Sequence, residues 1–224
     1  MQGDGDDVTE RSRSDVLVLS DRVRPASRTA LTDIEEHWRD LKAASSFLPR
    51  RSEVDANRMA GALPHAFVLE RIAPGVARFR IAGRAVASVL SGEPKGLPLS
   101  VMFTPASCPS LENWLDRCFD APCLVELLIE APQGALRPPL RGRLLLLPLL
   151  DQTGQVARAL GGLLLEGVPR RTNLRFDLSE AVPRVETIRR PAPARVFAGA
   201  AGPTGPTGLQ EPGRPYLRLV VSNP

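Results

Sequence analysis

The run His65-Ala66-Phe67-Val68-Leu69-Glu70-Arg71-Ile72-Ala73-Pro74-Gly75-Val76-Ala77-Arg78-Phe79-Arg80-Ile81-Ala82 reads as two short strands joined by a tight link. Gly75 can supply the positive φ that such a turn requires. In the second strand Ala77, Phe79 and Ile81 alternate with Val76, Arg78 and Arg80, which predicts one face toward a core and the other mostly toward water. A β-hairpin here commits the chain to an antiparallel sheet.

Downstream of the hairpin, Gly83 opens a short helix over 84–90, with Val86, Val89 and Leu90 on one side and Ser91-Gly92 as its stop. Between Pro109 and Asp120 the residues Leu111, Trp114, Leu115, Cys118 and Phe119 fall at helical spacing, and Pro122 ends that helix. Three further strands are predicted at 124–130, 141–149 and 156–166, with turn chemistry at Asp151-Gln152-Thr153-Gly154. Gly161-Gly162 lies inside the last of them and marks a bulge or a close backbone approach. Upstream, residues 54–63 read as a short helix ending at Pro64. Leu31, Ile34, Trp38 and Leu41 at spacings of three, four and three predict an amphipathic helix over about 28–46, closed ahead of Pro49. A short β-prone run, Asp15-Val16-Leu17-Val18-Leu19-Ser20, precedes it.

The order hairpin, short helices, longer helix and three strands defines an α+β fold. It is a five-stranded antiparallel sheet with its helices on one face, preceded by an N-terminal amphipathic helix. Residues 1–14 read as a disordered leader, 15–47 as a strand and helix arm, 48–168 as the folded domain and 169–224 as a mostly disordered tail. The tail assignment follows from 9 Pro and 6 Gly over residues 167–224. Within it, 216–221 reads as a strand or a docking segment.

Composition removes several functions. The chain has 224 residues, 43% hydrophobic and 24% charged, which is enough for one sizeable core. The longest apolar run, 144–150, is seven residues with Pro148 inside it, too short for a membrane span. The acidic start Asp4-Gly5-Asp6-Asp7 is unlike a secretory leader, which places the protein in the cytoplasm. His37, His65 and three cysteines spaced Cys-x9-Cys-x4-Cys give no metal-binding pattern, so no metal is expected and Cys108, Cys118 and Cys123 read as free thiols. The net charge of +4 comes from the tail, since residues 1–166 hold 20 Lys+Arg against 21 Asp+Glu and residues 167–224 hold 9 against 4. Nucleic-acid binding by the body is therefore disfavoured, and only the Arg-rich tail keeps it as an alternative.

No nucleophile elbow, phosphate loop or dinucleotide fingerprint occurs, so no catalytic residue is assigned and the protein is expected not to be an enzyme. A small α+β enzyme with an apolar pocket is the rival. The space between sheet and helices would be lined by Phe79, Ile81, Val86, Leu90, Phe103, Trp114, Leu115 and Phe119, as a filled core or as the pocket of a small apolar ligand. Arg78, Arg80, Arg141 and Arg143 form a basic strip if their strands are neighbours. The stripe Leu31, Ile34, Trp38, Leu41 carries an aromatic anchor and is the interface candidate for a homodimer.

The element order, with Gly83-x8-Gly92-Glu93-x2-Gly96-x-Pro98-Leu99-x3-Phe103, resembles a PAS domain. With Trp38-Arg39-Asp40-Leu41, the segment from Leu48 to Asp55, Phe79-Arg80-Ile81-Ala82-Gly83, Leu146-Leu147-Pro148-Leu149 and Arg158-Ala159-Leu160-Gly161, it resembles more narrowly the alphaproteobacterial single-PAS family of uncharacterised and regulatory proteins. The terminal Leu217-Arg218-Leu219-Val220 is also similar to that family. Coverage is about residues 30–168. The resemblance implies a cytoplasmic sensory or regulatory protein that works through protein partners, with no catalytic residues to carry over. It implies no bound cofactor. The Asn-Cys-Arg-Phe-Leu-like motif of flavin-binding relatives is missing, and the helix over 109–120 has no His to ligate haem.

Overall fold

The computed structural model describes residues 26–191 except Ser91, Ala135, Leu136 and Thr172, with side chains from Ala30 on. The described residues belong to one compact unit. The leader, the run Asp15–Ser20 and the segment 216–221 lie outside the described residues.

Seven antiparallel strands form one sheet. The five strands expected from the sequence are β1 (Ala66–Ala73), β2 (Val76–Ala82), β3 (Cys123–Ala131), β4 (Leu140–Leu150) and β5 (Val156–Leu165), in the order β2-β1-β5-β4-β3. Two short strands, β6 (Asp177–Leu178) and β7 (Arg184–Thr187), pair with successive parts of β3. The helices are α1 (Ala26–Ala44), α2 (Arg84–Val89) and α3 (Cys108–Asp120). Residues 54–63, expected to be a helix, instead follow the 3-10 turn Arg51–Glu53 with a second one at Ala56–Met59. Asp55 caps the start of this second turn, its carboxylate accepting the Asn57 N–H at 2.8 Å, and Gly61, a poor helix former, follows two residues past its end.

The helices do not share one face. On the front, α2, α3 and the 3-10 turn Leu99–Met102 cover Phe67, Leu69, Phe79, Val125, Leu127, Leu144, Leu146 and Leu163. On the back, α1 lays Leu31, Ile34 and Trp38 over Leu145, Leu147, Leu149, Leu160 and Leu164. The physical reason is in β4 and β5, whose residues 144–149 and 159–164 are buried without interruption. Strands apolar on both faces need cover on both.

Two glycines let the layers close. Gly161 lies beneath the Phe67 ring on the front, and Gly162 beneath Leu31 and Ile34 on the back, so a Cβ at either position would collide with the covering side chain. Close approach, not a bulge, explains the pair, since the β4–β5 register runs unbroken through both glycines.

The C-terminal segment departs from the expected tail. Phe176, wholly buried, forms a parallel bridge with Phe103, and its N–H donates to Met102 O at 2.8 Å. Asp177 Oδ1 accepts from the hydroxyls of Thr104 and Ser107, and Ser107 Oγ in turn accepts the Leu178 N–H at 3.0 Å. Farther on, Arg184 and Glu186 of β7 join Glu35 and Arg39 of α1 in a ring of ion pairs, with Arg184–Glu35 at 2.6 Å and Arg39–Glu186 at 2.6 Å. Neighbouring guanidinium groups outweigh partial burial at Glu35 and hold its carboxyl below the usual range. The folded unit thus extends past 168 to about Ile188, which is buried under α1.

His37 ties α1 to the turn segment. It is 4% exposed, and its Nε2 accepts the Asp55 N–H at 3.1 Å, which leaves the ring proton on a buried Nδ1 with no partner among the described residues. Burial, helped by the Arg58 cation against the pull of Asp55 and Asp40, holds its pKa below the ordinary imidazole value of 6.5. The unfolded chain therefore binds this proton more readily than the folded one. Stability from neutral His37 is complete above about pH 6.5 and is lost as pH falls through the lowered folded value. Urea midpoints taken from about pH 8 down to about pH 5 should fall more for the wild type than for His37→Gln, whose amide oxygen can accept the same N–H without titrating. Equal slopes would clear His37 of the effect.

Candidate functional site

Seven of the eight residues expected to line a pocket lie together on the front. Phe79, Val86, Leu90, Phe103, Leu115 and Phe119 are buried in one cluster with Phe67 and Leu111, and Trp114 packs half-buried against it beneath the Arg117 guanidinium. Their partners are other apolar side chains, and Phe67 meets Phe79 edge-on at 5.5 Å. Cys118 and Cys123 sit in the cluster as free thiols, and burial pushes both up in pKa, away from the reactive thiolate.

The eighth, Ile81, is on the other side of the sheet and 55% exposed. Leu69 pairs with Phe79 but Val68 pairs with Ile81, so Arg80 is an extra residue in β2. Such a bulge reverses the side-chain alternation beyond it. Phe79 therefore stays in front while Ile81 joins Val68 behind.

That reversal builds a groove. Its floor is Ala66 and Val68 of β1, Ile81 of β2 and Leu160 of β5, and its wall is Val54, Met59 and Leu63 with Arg51 at the rim, enclosing about 290 Å³. Asp55 caps the turn that carries Met59, and the Leu63 and Pro64 carbonyls lie so close to Gly83 that only a residue without a Cβ fits there. Sequence reasoning missed Val54, Met59 and Leu63 as lining residues, because 54–63 was expected to be a short helix and its own residues do not name the sheet face it covers.

The four arginines of the expected strip fall into two groups, since β1 and β5 separate β2 from β4. Glu70 lies opposite Arg78 and is paired with Arg80 and with Arg158 at 2.7 Å. Arg143 pairs with Glu126 at 3.1 Å, and Arg141 lies opposite Glu130. Along the back face the Glu70 row follows the row of Val68, Leu160 and Ile81, so the groove is apolar with a basic end. In the C-terminal segment Arg184 pairs with Glu35 of α1, Arg175 donates to Phe103 O at 3.3 Å and Arg190 stacks on Phe47, and all three remain exposed.

The interface stripe is also accounted for within the chain. Leu31, Ile34 and Trp38 are buried against the chain's own sheet, and Leu41 is half-buried. Trp38 Nε1 donates to Pro148 O at 3.0 Å. Among the described residues no cluster of three or more His, Cys, Asp or Glu could hold a metal ion, and no helix is long and apolar enough to cross a membrane.

A family model described as PAS domain matches residues 26–164, and the chain belongs to that family. Membership points to a sensory or regulatory role. No curated protein matches the chain. Among solved structures, the light state of the blue-light photoreceptor Aureochrome1 LOV aligns with a TM-score of 0.33 and 12% identity, covering 49% of this chain and 84% of that one.

Proposed function

We propose that this PAS-domain protein is a regulatory module that acts by contact with other proteins at the back-face groove, without catalysis of its own and without bound haem or flavin. The observation that supports it is the groove: Ile81 of its floor and Leu63 of its wall are 55% and 39% exposed, apolar surface that a folded chain ordinarily covers. Its basic end favours a partner whose apolar side chains are accompanied by carboxylates. The front core favours a filled interior over an open pocket, because its candidate residues contact one another.

Quantitative affinity purification from the native cell tests this. A partner retained by the wild type should be lost at least about tenfold from Ile81→Asp, equivalent to about 1.4 kcal/mol. It should be kept by Leu128→Asp, which places the same charge at an exposed site on β3. Equal retention by both variants would sink the proposal.

A further inference from the structure

The start of α1 lies beside the groove. Leu31 and Ile34 rest on Gly162, and Gly162 pairs with Ala66 of the groove floor. Twenty-five residues precede the helix, and Val16-Leu17-Val18-Leu19, bracketed by Asp15 and Asp21, lies seven positions or more ahead of Ala26. Seven extended residues reach about 23–25 Å. Ala26 stands about 7.5 Å along the helix from Leu31, and one strand spacing of about 5 Å leads from Gly162 to Ala66. The run can therefore reach the groove without moving α1.

The chemistry also matches. The apolar floor would take one alternate pair of the four side chains in an extended segment. Beyond it, among the described residues, Arg78, Arg80 and Arg158 stand around the single carboxylate of Glu70, so positive charge is left over at that end. Residues 1–15 carry five carboxylates against two arginines. We propose that Val16–Leu19 of the same chain occupies the groove, with Asp15 and the carboxylates ahead of it toward the basic end, as a displaceable internal ligand. A partner at this site would have to compete with it. The groove could close in this way even in a protein with no partner at Ile81, so the two readings fail separately.

The test uses the full chain with a photo-reactive benzoylphenylalanine at the exposed position 81, prepared as a mixture of isotopically heavy and light protein. The expected adduct joins position 81 to a peptide containing residues 15–21 of the same isotopic label. The double variant Leu17→Asp/Val18→Asp, which puts a carboxylate on whichever alternate face meets the floor, should lower its yield at least about tenfold, as the loss of one buried apolar side chain requires. The far-ultraviolet circular dichroism should not change, which shows the domain still folded, while loss of the docked segment lowers the melting temperature slightly. Mixed-label adducts would assign the groove to the arm of a second copy. Adducts to 216–221 would assign it to the other end of the chain. Either result, no adduct, or an unchanged yield in the double variant overturns the proposal.

Discussion

Replacing Trp38 with alanine is expected to lower the unfolding free energy by about 3–5 kcal/mol, the cost of a buried aromatic side chain lost from a packed layer. Trp38 is 1% exposed in the cluster between α1 and the sheet, and its indole N–H satisfies the carbonyl of Pro148. Trp38→Phe keeps most of the ring but leaves that carbonyl unpartnered, so it should cost about 1–3 kcal/mol, a clear step below alanine. Urea midpoints at constant slope check both values. The pair also decides between two uses of the stripe. An anchor for a second subunit would make Trp38→Ala change the molecular mass and leave monomer stability nearly intact, whereas burial on the chain's own β4 predicts the reverse.

Gly161→Val should destabilise the fold by about 3 kcal/mol, the upper range for forcing atoms into a filled core. A Cβ at 161 falls on the far edge of the Phe67 ring and 2.9 Å from Leu145 O. The ring cannot swing aside easily, because it is 1% exposed and its neighbour Phe79 meets it edge-on. Shortening the obstacle should help: Phe67→Leu in the same chain is expected to recover at least about 1 kcal/mol, a coupling typical of residues in contact. Additive costs in that cycle would show that Gly161 acts through the strand backbone and not through the ring.

Much of this architecture could be read from local chemistry. The hairpin declared itself through period-two alternation and a turn in which Gly75 has φ 67°, and α3 through its apolar stripe behind Pro109. Ile81 was placed on the wrong face because Ala77, Phe79 and Ile81 spell the same alternation whether or not a residue is extra. Register against β1 decides that, and register is a property of two strands. The α1 stripe was visible, but its partner was not named by the helix itself. The signal lay a hundred residues on, where the unbroken Leu144-Leu145-Leu146-Leu147 demands cover on both faces.

The C-terminal error has a different origin. Residues 167–191 hold 3 Pro and 1 Gly in 25 positions, against 6 and 5 in the 33 that follow. Averaging over both hid Leu174, Phe176 and Asp177, an apolar pair and a carboxylate that dock on Phe103, Thr104 and Ser107. Of the groove, only the floor strands were predictable. Its wall depends on 56–59 forming a short turn where a longer helix was expected, and its opening on the Arg80 bulge.

The contact between Trp38 and Pro148 spans 110 residues of chain. At a ribosomal rate of about 5–20 residues per second, α1 emerges some 5–20 s before the strand that will cover it. During that interval Leu31, Ile34 and Trp38 face water, and the nascent chain presents an amphipathic helix to any holding factor at the tunnel exit. Slower translation before β4 would prolong that exposure, so the yield of folded protein should depend on elongation speed as well as on the stability of the finished sheet.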